Sequence, residues 1–160
     1  MSLIENFLVD LHAFDGRITE DMTTVLRETA AVVAEAIVVG NAYGPGAPVD
    51  TGFLRSSFQV TLNNPATGPS EPPARPAGRR LGDPPIYTTI PDLRAADRAQ
   101  VTDVVYVTTP ASYAEYLEYD NLERRFGPFR GQPTAFVRSV ALRFDRIVED
   151  TLRRVKPVAA

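Results

Sequence analysis

The sequence predicts an α+β fold: a small, mainly antiparallel sheet packed by two long amphipathic helices, with a long proline-rich loop inserted. Three observations predict it. Apolar residues recur three and four apart at both ends of the 160-residue chain. In the middle, Phe58, Val60 and Leu62 alternate with Gln59, Thr61 and Asn63, and Val104–Thr109 is β-branched or aromatic at every position. A helix and a half-buried strand each own one apolar face, and a two-layer packing buries both.

The first helical stripe is Ile4, Phe7, Leu8, Leu11, Phe14 and Ile18; it resumes at Met22, Val25, Leu26, Thr29, Val32, Val33, Ala36 and Ile37 and stops at Gly40. Asp15-Gly16 marks a break inside it. One helix laid on a sheet and a coiled coil give the same stripe, and the helix on a sheet is the reading adopted here. A corner follows. Gly40, Gly44, Pro45, Gly46 and Pro48 end the helix, because proline fixes its own φ and keeps the preceding residue out of the α region. Asp50 or Thr51 then caps one helical turn anchored by Phe53 and Leu54, with Asp50 also within reach of Arg55, and the turn hands over to the strand Ser57–Asn63.

Between Pro65 and Pro91 lie eight of the fourteen prolines, with Gly68, Gly78 and Gly82 and almost nothing to bury, so this stretch reads as a loop or arm. Arg75, Arg79, Arg80, Leu81 and Ile86 are its candidate contacts with a neighbouring subunit. Ile86–Thr89 is a candidate edge strand, and Asp92–Gln100 a short helix capped by Asp92. Asp103–Thr109 is the best strand, expected in the centre of the sheet and closed by Pro110. A short helix carrying Tyr113, Tyr116 and Leu117 comes next, then a loop through Gln132-Pro133. The final helix opens at Thr134 and holds Phe136, Val137, Val140, Ala141, Phe144, Ile147, Val148, Leu152 and Val155 on one face until Pro157. Pairs Glu149–Arg153 and Asp150–Arg154 are expected on its other face, each contributing a few tenths of a kcal/mol.

Length suits one domain over 1–160, with 65–91 as its insertion. No apolar run is long enough for a bilayer, and no basic, cleavable leader opens the chain. The absence of cysteine removes disulfides, thiolate metal sites and cysteine nucleophiles, and a lone His12 is a poor start for a zinc site or a triad. A formal charge of −3 argues against a grip on phosphate backbones through Arg79-Arg80 and Arg124-Arg125. Asp50-Thr51-Gly52 is the tripeptide on which aspartic proteases carry a catalytic carboxylate. That chemistry needs a second carboxylate, hence a dimer, because no second copy of the tripeptide exists. Pro48 interrupts the strand such a site requires and Phe53 is bulky, so a dimeric, retropepsin-like protease is the alternative reading and a capped turn the preferred one.

A further pattern lies in the order of these pieces. Pro48-Val49-Asp50-Thr51-Gly52 with Leu54-Arg55, then Tyr113-Ala114 and Leu117-Glu118, then Gln132-Pro133 opening a last amphipathic helix, resembles the tail-completion or neck proteins of long-tailed bacteriophages, including the minor tail protein Z type. Two positions depart: Asp120 stands where the family usually has glycine, and Phe53 where it commonly has arginine. The resemblance implies a non-enzymatic virion protein at the head–tail junction, without catalytic residues, cofactor, metal or membrane contact. It also implies a ring of copies, a hexamer to match the tail, which touches the tail terminator or head-closure ring while DNA passes through without specific binding.

Overall fold

The computed structural model describes residues 3–67, 77–78, 80, 83–119 and 135–156, and it is an α+β arrangement. Helix α1 (Leu3–Val38) is followed by α2 (Phe53–Ser57), strand β1 (Gln59–Leu62), a 3-10 turn (Ala95–Arg98), strand β2 (Val105–Thr108), α3 (Ala114–Tyr119), α4 (Arg138–Ala141) and α5 (Phe144–Val155). The strands form one antiparallel pair, with Val60 opposite Val107 and Leu62 opposite Val105. Among the described residues each strand has a single partner, so β2 is not the central strand its composition suggested. Asn63 shuts the pair at one end. Its backbone is left-handed at φ 63°, its amide donates to the Val104 carbonyl, and its side chain receives the Val104 amide while donating to Asp103.

Helix α1 runs straight through Gly16. A Cβ there would touch nothing, so the site is open to solvent, and the cost of about 1 kcal/mol for glycine is offset by the helix formers around it. Only the C-terminal half of α1 enters the core. Small residues Ala30, Ala34 and Ala36 let the sheet, the 3-10 turn and α5 approach its backbone closely. One core cluster gathers Ile37, Val38, Leu54, Phe58, Phe136, Val140 and Ile147, with Phe58 and Phe136 edge to face at 6.2 Å. A smaller cluster joins Ala30, Ala34, Val60 and Ala96 beneath the sheet, where the Arg27 Nε–H donates to Ala99 O at 2.7 Å.

Three expected elements differ. Ile86–Thr89 is not a strand, because the Ile86 and Tyr87 amides both donate to one carbonyl, that of Thr51, instead of to a ladder. The helix expected over Asp92–Gln100 shrinks to the 3-10 turn, with the Asp92 carboxylate holding the Arg94 amide. The single C-terminal helix is two, parted at Leu142-Arg143, where Arg143 donates to Tyr43 O at 2.9 Å. On α5, Arg153 meets both Glu149 and Asp150, whereas Arg154 bonds the Asp150 carbonyl and not its carboxylate. Thr134, Pro157 and, in the proline-rich stretch, residues 68–76, 79 and 81–82 lie outside the described residues. None of the helices described is long and apolar enough to cross a membrane.

Candidate functional site

The corner is built by helix ends that satisfy one another. Past Val38 the Val39 and Gly40 amides share the Glu35 carbonyl, and Gly46 and Ala47 return amides to Ala36 O and Val38 O. Asn41 links back to Val32 O and Glu35, and Tyr43 reaches across to Asp150 on α5 at 2.9 Å, an acceptor that holds its phenol above the usual range. Arg55 supplies the cation that a helix C-terminus favours: its Nη2 donates to Ala47 O at 3.2 Å and Val39 O at 3.4 Å. Burial of that guanidinium lowers its pKa.

Gly52, buried at φ 88°, lies against the carbonyl of Tyr87, where any Cβ would collide with the oxygen. Only glycine fits there. With Thr51 O holding the Ile86 and Tyr87 amides and the Phe53 ring meeting Tyr87 edge on at 5.6 Å, residues 86–87 become a strap over the corner. The start of α2 is capped by Thr51 Oγ1, which accepts the Phe53 amide at 3.3 Å, and Tyr113, from the segment entering α3, packs beside it against Phe53 and the core. Burial, with the Asp50 charge adding a little, pushes the Tyr113 phenol up to about 12.

Glu118 forms the second joint. Its buried carboxylate accepts the Val137 and Arg138 amides at 2.9 and 2.8 Å, capping α4, and pairs with the Arg138 guanidinium, which in turn covers the Tyr119 ring. The structure therefore gathers Thr51, Gly52, Leu54 and Tyr113 around one turn, packs Ala114 and Leu117 against the same core, and sends Glu118 to the next helix. Pro48, Val49 and Asp50 are half-buried beside them. Asp50-Thr51-Gly52 occupies a bend, not the end of a strand, which removes the setting the protease reading requires.

Gln132, Pro133, Arg75, Arg79 and Leu81 lie outside the described residues. Arg80 donates its amide to Asp83, and Ile86 leaves its side chain in solvent while its backbone belongs to the strap. Spacing alone carried no sign of the Tyr43–Asp150 bond or of Glu118 as the cap of α4.

A second surface is apolar. Ile4, Phe7, Leu8, Leu11, Phe14, Ile18 and Met22 are all exposed on α1, Phe7 by 63% and Phe14 by 55%. The stripe expected to pack on the sheet is thus uncovered along its first half. It runs down into a groove of about 510 Å³ between α1 and α5, walled by Ile18, Met22 and Val25 on one side and Phe144, Val148 and Leu152 on the other.

The described residues thus present a long helix with an exposed apolar face, joined to a two-stranded sheet through a strapped corner. Residues 5–119 match the phage family described as "Bacteriophage HK97-gp10, putative tail-component", and the chain belongs to it. The match runs from α1 through α3 and stops before Gln132-Pro133 and the last two helices. No curated protein and no solved structure matches the chain.

Proposed function

We propose that this phage tail component works at the head–tail junction as a neck or tail-completion protein: a homo-oligomeric ring, a hexamer where it matches the tail, seated between the tail terminator and the head-closure ring. DNA passes through the ring without being read, the role is structural, and no catalysis is assigned to Asp50. The observation that carries this reading is the family match over residues 5–119, which takes in the corner. The uncovered stripe of α1 supports it, because an apolar face this long exceeds the few hundred Å² that monomers usually expose. Arg80 and Ile86, on the proline-rich segment with Arg75, Arg79 and Leu81, are offered as contacts to the adjoining ring.

Deleting the gene tests the proposal. Filled heads and finished tails should accumulate unjoined, joining should return when the purified protein is added, and electron microscopy should place the protein between them. Normal yields of joined particles without the protein would refute the assignment.

A further inference from the structure

We propose that the N-terminal half of α1 is an arm that lies in the α1–α5 groove of a neighbouring copy of this chain, in a head-to-tail contact that repeats around the ring. The inference rests on the ring reading above and adds the surface that would build it.

The arm cannot serve its own groove. Residues Ile18, Met22 and Val25 of the same unbroken helix form one wall, so the apolar face above them would reach that groove only if α1 broke in two. A second chain meets no such obstacle. Helical spacing puts Ile4, Phe7, Leu11 and Phe14 on the face that continues into Ile18, Met22 and Val25, giving one apolar surface from the tip of the arm to the floor of the groove. From their exposure these side chains offer on the order of 800 Å² per copy, the area a standard interface removes from each partner. Thr29, whose hydroxyl is buried without a hydrogen-bond partner, is among the residues lining the groove.

Charge selects between the two ways that copies could meet. Residues 4–22 carry five carboxylates against Arg17 alone, so pairing two arms about a two-fold axis would set acid against acid. Residues 138–156, the helices beside the groove, carry six cations against three carboxylates; Arg138 and Lys156 are already paired with Glu118 and Asp21 of their own chain, which still leaves an excess of positive charge. An acidic arm on a basic neighbour is the attractive arrangement. It is also heterologous, the kind of contact whose repetition closes a ring, which a two-fold contact does not do beyond a dimer.

The chain has no cysteine, so reporters can be placed freely. Leu11→Cys on the arm and Leu152→Cys on the groove are prepared separately, mixed and treated with a short bis-maleimide. The mixture should yield cross-linked dimers and neither variant alone should do so. Leu11→Cys linking to itself as readily as the mixture would overturn the proposal in favour of two-fold pairing, and no cross-link in any tube would overturn docking of the arm in a neighbour's groove.

Light scattering gives a second reading that does not depend on reagent geometry. Phe7→Glu with Phe14→Glu should reduce the assembly to the 17.5 kDa chain while circular dichroism and the melting temperature stay unchanged. Val9→Glu, also exposed but on the opposite side of α1, should leave the wild-type mass. An arm variant that keeps the wild-type mass would sink the idea. Failure of the ring reading is distinguished by the particle assay: unjoined heads and tails on gene deletion, with no cross-link, leave that reading standing and remove only the arm contact.

Discussion

Glu118→Ala tests the joint between α3 and α4. The substitution leaves the Val137 and Arg138 amides, held at 2.9 and 2.8 Å, without their acceptor at the first turn of a helix. An orphaned, partly buried N–H costs about 1 kcal/mol or slightly more, which accounts for most of the loss. Arg138 loses its 3.3 Å ion pair, but its side chain is 45% exposed and returns to water, so that part adds well under about 1 kcal/mol. The expected total is about 2–3 kcal/mol, or a fall in melting temperature of about 4–12 °C for a chain of this size. Thermal and urea unfolding followed by circular dichroism measure it, and faster hydrogen exchange at the Val137 and Arg138 amides locates it. Arg138→Met should cost clearly less than Glu118→Ala, because it leaves both capping bonds in place. Equal losses would show that the ion pair and not the cap dominates, and an unchanged midpoint for Glu118→Ala would refute the joint itself.

Tyr113 should make stability fall in alkali. The folded state holds the protonated phenol up to about 12, so its contribution is complete below pH 10, where the unfolded phenol ionises, and is lost as pH rises towards 12. Tyr113→Phe should flatten the decline between pH 10 and 12; an equally steep decline in the variant would count against the assignment. Asp50→Asn should shift the ultraviolet titration of Tyr113 downward, since the carboxylate is one cause of the raised value, and an unmoved titration would place Asp50 elsewhere. Gly52→Ala should cost at least about 1–2 kcal/mol from the left-handed backbone alone, before the clash with the Tyr87 carbonyl; a variant as stable as wild type would mean the strap does not lie where it is described.

What the sequence disclosed was periodic and local; what it withheld depends on partners that no period encodes. The spacing of Ile4 to Ile18 identified an apolar helical face correctly, yet spacing reports only that a face exists, and the sheet assigned to cover it covers the other half of α1. The alternation in Phe58–Leu62 gave β1 and the β-branched run gave β2, but composition cannot count neighbours, and β2 sits in a pair. The division between α4 and α5 escaped because Val140 and Ile147, seven apart, keep the same inward direction across it. The cause of the division, Arg143 reaching the Tyr43 carbonyl, lies a hundred residues away.

The corner shows the same separation most sharply. Pro48 and the glycines before it do end the helix, and a hydroxyl of the Asp50-Thr51-Gly52 string does cap α2 as the residue types demand. The second joint hands a carboxylate from α3 to α4, where folding would otherwise strand the Val137 and Arg138 amides. Residues that resemble one family string when read along the sequence are therefore coupled in space for a plain reason. Thr51 and Tyr113 meet at one helical turn, the first accepting the Phe53 amide and the second packing against the Phe53 ring, so a change at either is felt at that turn.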